Sequence, residues 1–133
     1  MLNADSLQAL AKTPWGPSFV RPLYEGYAFS QIPSTVNKLL GKAAQGGLPR
    51  EAVGGSWGPY DAVVLFLLDG FGWEFFETYR SSYPFLNRLY EQGVVSKISA
   101  QFPSTTAAHV TSSIRLLRWD KRGFMNGFTT SLF

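Results

Sequence analysis

A chain of 133 residues that is 45% hydrophobic and 16% aromatic is long enough for one small domain with its own core, and the absence of cysteine excludes a disulfide framework or a thiolate metal site. Lys and Arg balance Asp and Glu through Ser113, so the net charge of +3 comes entirely from Arg115, Arg118, Lys121 and Arg122 against Asp120, and no basic face on the folded part supports nucleic-acid binding. The first twenty residues carry no signal-like apolar segment, and the longest apolar run, 62–68, falls far short of the roughly 20 residues a membrane helix needs. The expectation is a soluble, cytoplasmic protein with no membrane partner.

Residues 1–31, with Pro14, Pro17 and Pro22, read as an irregular arm whose aromatics, among them Trp15, Phe19, Tyr24, Tyr27 and Phe29, pack over a core edge. A helix is predicted from Ser34, where Val36, Leu39, Leu40 and Ala43 fall at i, i+3, i+4 and i+7, and Gly46-Gly47 ends it. After a turn-rich linker over 54–59, residues 62–68 are apolar at every position, the pattern of a central parallel strand covered on both faces. Residues 71–79 read as a helix or tight turn, 84–92 as a helix with Pro84 at its first position and Gly93 just past its end, and 94–100 as a second strand. Pro103-Ser104-Thr105-Thr106 then opens a helix that Ala107-Ala108 propagate. The order β-α-β-α predicts an α/β fold on a parallel sheet with its site at the strand C-terminal ends.

The residues able to carry chemistry cluster at those ends. Asp69 stands where the apolar run stops, and Gly70 allows a sharp turn with room for a ligand; the carboxylate suits a hard or borderline cation, or else caps the next helix or braces the loop. Thr105 and Thr106 lie at a helix start, where free N–H groups favour an anion such as phosphate. A hydroxyl there is either a plain cap or, if a cation lowers its pKa, a nucleophile toward phosphorus. His109 is the only histidine, either turned to the site or a structural hydrogen-bonder on an Ala-rich helix. Trp73, Phe75 and Phe76 read as packing, and Ser104 as a cap.

Together these residues resemble the N-terminal part of the alkaline phosphatase superfamily, in particular its type I phosphodiesterase and nucleotide pyrophosphatase branch. The resemblance is carried by Val64-Leu65-Phe66-Leu67-Leu68-Asp69-Gly70-Phe71-Gly72, by Pro84-Phe85-Leu86-Asn87-Arg88-Leu89, and by Phe102-Pro103-Ser104-Thr105-Thr106-Ala107-Ala108-His109-Val110-Thr111. It implies a metal-dependent hydrolase of phosphodiester or pyrophosphate bonds acting on a small phosphodiester or nucleotide. It also implies Asp69 as a ligand of a bimetal centre and Thr106 as nucleophile and bridging ligand, with Thr105 one residue away as the fallback. Two divalent ions, expected to be zinc and about 3.5–4 Å apart, would hold the attacking and leaving oxygens of an in-line displacement. The family's other aspartate and histidine ligands lie far downstream, beyond the reach of this chain.

The expected organisation is an arm and helix over 1–59, the start of a phosphodiesterase-like α/β domain over 60–113, and an aberrant tail over 114–133. In the tail apolar periodicity degrades and basic residues gather. Reading a plausible coding sequence one nucleotide earlier permits a glycine- and aromatic-containing peptide similar to the family's continuation, so the tail reads either as a frameshifted end or as a divergent helix. Three functional readings follow: the metal-dependent hydrolase or its amino-terminal fragment; a non-catalytic fragment or phosphate-binding module; and a phosphomonoesterase or sulfatase of the same superfamily.

Overall fold

The computed structural model describes residues 1–14 and 20–116. Five helices follow in order: α1 (Ala4–Ala11), α2 (Ile32–Leu39), α3 (Trp73–Tyr79), α4 (Pro84–Gln92) and α5 (Thr106–Leu116), with short 3-10 turns at Phe29–Gln31 and Arg50–Val53. The expectations placed on Trp15 and Phe19, and on the tail over 114–133, lie outside the described side chains.

The line of chain over 95–99 organises the N-terminal half. Asn3 donates its backbone N–H to Val95 O and Val95 donates back to Met1 O, both at 2.9 Å, while Phe29 N–H reaches Ser99 O at 2.9 Å and Ser99 N–H reaches Tyr27 O at 2.8 Å. These exchanges form parallel bridges between Leu2 and Val95 and between Ala28 and Ser99. Between them, buried Ser6 accepts the Lys97 N–H on its Oγ at 3.0 Å. Residues 95, 97 and 99 thus face one edge, as the two-residue strand period requires. Ser99 is also buried, donating its hydroxyl to Tyr27 O at 3.1 Å and accepting Leu23 N–H at 2.9 Å.

The arm is more regular than its prolines suggest. Asn3 caps α1, its Oδ1 accepting the N–H groups of Asp5 and Ser6, and the same residue pins the chain to Val95. Helix α2 starts two residues earlier than predicted and stops sooner, at Leu39. Gly41, with φ of 71°, places the chain in the left-handed region, Gly41 N–H returns to Lys38 O and Lys42 N–H to Asn37 O, a Schellman closure that uses up the last carbonyls. Helix α4 runs over the predicted residues, with Pro84 at its start and Gly93 at its end.

Residues 62–68 depart from the buried strand expected there. Among the described residues they form no backbone hydrogen bond and join no sheet. Phe66 is 82% exposed and Leu67 49%, so both alternate faces are open to solvent. The physical reason is that continuous apolarity specifies burial on two faces without supplying the elements that would cover them. Among the described residues the buried hydrophobic ones are correspondingly few: Leu10, Tyr27, Ala28, Phe76 and Leu86. Helices α3 and α4 contribute Phe76 and Leu86 to this core and are tied together by Arg80, whose guanidinium lies 4.3 Å from the Tyr90 ring centre.

Candidate active site

Helix α5 begins at Thr106, and that boundary gives the two adjacent threonines different environments. Thr105 precedes the helix as its cap, with Oγ1 accepting the Ala108 N–H at 3.3 Å. Thr106 opens the first turn and donates its hydroxyl to Asp69 Oδ1 at 3.0 Å. Ser104, expected to cap, is displaced from that role by Thr105 because the helix starts one residue later than a Ser104 cap would require.

Asp69 is held by its own turn. Its Oδ1 accepts the Gly70 N–H at 3.0 Å as well as the Thr106 hydroxyl, and Oδ2 has no partner among the described residues. Gly70 has φ of 71°, and a Cβ built there would meet nothing within 4 Å. Glycine is therefore favoured at this position by backbone conformation and not by crowding. The expected Asp69–threonine pairing is thus present, with the side chains exposed at the rim of a depression of about 440 Å³. Its walls include Phe29, Leu67, Phe71, Ser104 and His109. The N–H groups of Thr106 and Ala107 have no acceptor among the described residues, as expected of a helix start open to solvent.

His109 lines the same depression as Asp69, and its ring is engaged by Gln101, Thr105 and Phe29. Its Nε2 accepts the Gln101 N–H at 3.3 Å, its Nδ1 lies 2.7 Å from Thr105 O, and the Phe29 ring meets it edge-on at 4.5 Å between centres. Sequence reasoning left these partners unnamed, although the four-residue separation from Thr105 was a usable signal for a bond back to that carbonyl. Phe76 packs as expected, whereas Phe75 is 44% exposed and stands in a row with Phe71 at 5.1 Å and Tyr79 at 4.5 Å.

Residues 63–114 match the family model described as type I phosphodiesterase / nucleotide pyrophosphatase. The match fits a fragment of that branch. It contains Asp69, both threonines and His109. No curated protein matches the chain, and no solved structure does either.

The donors that the described residues bring together do not complete a metal centre of the kind the resemblance implies. Asp69 and Thr106 offer two oxygen sites side by side, whereas a zinc ion takes four ligands. Among the described residues no group of three or more His, Cys, Asp and Glu is placed to hold a metal. No described helix is long and apolar enough to cross a membrane.

Proposed function

We propose that residues 60–113 are the opening segment of a metal-dependent hydrolase of phosphodiester or pyrophosphate bonds, built on a parallel α/β sheet, and that this chain by itself is a non-catalytic fragment of it. In this reading Thr106 is the nucleophile and Asp69 the carboxylate that holds it. One observation carries the choice of residue: the Thr106 hydroxyl points at Asp69 from 3.0 Å while the Thr105 oxygen caps the helix.

A threonine hydroxyl is a weak nucleophile until a base or a cation acts on it. The two oxygens that the described residues bring together are too few to fix a cation, so Asp69 orients the hydroxyl without activating it. What they do supply is a hydroxyl fixed by one hydrogen bond, at a helix start whose open N–H groups favour the oxygens of a phosphoryl group. Those open amides favour phosphate binding without turnover as the second reading. A phosphomonoester or sulfate ester substrate remains compatible with the same residues, because the pocket for the leaving group is not formed by them.

Residues 114–133 are read as an out-of-frame end. The coding DNA tests this: a downstream frame encoding aspartate and histidine motifs supports it, and the lack of any such frame disposes of it. In a protein completed through that frame, Thr106→Ala is expected to lower hydrolysis of a model phosphodiester by on the order of 10³-fold. Thr105→Ala should cost less than about tenfold. Full activity of the Thr106→Ala protein would move the nucleophile to Thr105 or remove the covalent mechanism.

A further inference from the structure

We propose that His109 is a positioning residue: its imidazole clasps the backbone at Gln101 to the first turn of α5 and so sets where the Thr106 hydroxyl sits against Asp69. The protonation pattern of the ring follows from its partners. The Gln101 N–H can only donate, so Nε2 accepts it at 3.3 Å; the Thr105 carbonyl can only accept, so Nδ1 carries the proton and donates at 2.7 Å. A metal ligand needs a ring-nitrogen lone pair, and here one is engaged by an amide and the other nitrogen is protonated.

The clasp lies on a continuous line of contacts running from the core to the nucleophile. Phe29 bonds through its N–H to Ser99 O at 2.9 Å and presses the edge of the His109 ring at 4.5 Å. His109 then grips Gln101 and Thr105, while Thr105 N–H turns back to Pro103 O at 2.9 Å and the His109 N–H closes on Thr105 O at 3.1 Å. Residues 101–105 are thereby closed against α5 at both ends, with Thr106 the next residue along. Without the ring, the backbone bond from His109 to Thr105 O and the packing of α5 against the Phe29–Gln31 turn would survive, but the bond that holds Gln101 to the first turn of α5 would be lost. Thr106 would then keep its helix while losing its fixed distance from Asp69.

The role given to Thr106 rests on the hydrolase reading above; the clasp does not, and it can be measured without turnover. The test is ring-nitrogen NMR on the full chain, first alone and then with zinc chloride, together with His109→Gln and His109→Ala. The expected result is a protonated Nδ1 and an unprotonated Nε2 whose signals stay in place when zinc is added. Glutamine can restore an oxygen acceptor for the Gln101 N–H, so exchange of that amide should stay slow in His109→Gln and quicken about tenfold in His109→Ala. The Thr106 side-chain couplings should report one rotamer in the parent and in His109→Gln, and an average in His109→Ala. If His109→Ala fails to fold, the parent spectrum and His109→Gln decide the matter between them. A protonated Nε2, a zinc-induced shift of either ring nitrogen, or an averaged Thr106 rotamer in a folded His109→Gln would overturn the proposal.

Discussion

Thr105 and Thr106 carry the same side chain, and the first residue of α5 falls between them. The capping oxygen of Thr105 satisfies the Ala108 N–H, one of the orphan amides of the helix start, whereas the Thr106 oxygen is directed outward to Asp69. Replacing Thr105 with alanine should therefore cost about 0.5–2 kcal/mol of stability in urea unfolding. An unchanged midpoint would mean that the cap contributes nothing. Gly70 makes the complementary case beside Asp69. Its left-handed backbone, with open space around the missing side chain, predicts that Gly70→Ala destabilises by about 1–2 kcal/mol through conformation alone. A Gly70→Ala protein as stable as the parent would show that the turn relaxes, and with it the hold on Asp69.

At the scale of elements, what could be read from sequence depended on whether the signal was local. Helix α4 was legible from end to end because Pro84 and Gly93 mark its limits chemically. Helix α1 was hidden in a proline-bearing stretch, and its cue, Asn3 as a cap, is a single residue. The meeting of Asp69 with Thr106 could be anticipated from a carboxylate after an apolar run and a hydroxyl at a helix start, although among the described residues the run itself joins no sheet. The clasp by His109 could not, because it depends on a backbone amide eight residues away. Nor could Ser99, whose hydroxyl serves Leu23 and Tyr27 across more than 70 positions. Ser99→Ala should lower stability by about 1 kcal/mol, since it leaves the part-buried Leu23 N–H without its acceptor, while Tyr27 O keeps the Ser99 N–H. Thermal unfolding would check this, and an unchanged midpoint would mean that the backbone bridges at Val95 and Ser99 hold the line unaided.

For the molecule as a whole, the apolar run 62–68 sets the behaviour in solution. Its backbone groups are unpaired among the described residues and its side chains are open on both faces, a combination that invites pairing with other chains. Light scattering should show concentration-dependent association of this chain, reduced by Phe66→Asp; equal association of the two proteins would place the sticky surface elsewhere. On the proposed hydrolase reading the site bears on catalysis too, because among the described residues one carboxylate and one hydroxyl are brought together, too few to fix a zinc ion. The direct measurement is release of product from a model phosphodiester by this chain with added zinc, run beside its Thr106→Ala variant. The account predicts no turnover above that variant's background. Zinc-dependent turnover by the parent chain that disappears in Thr106→Ala would contradict it.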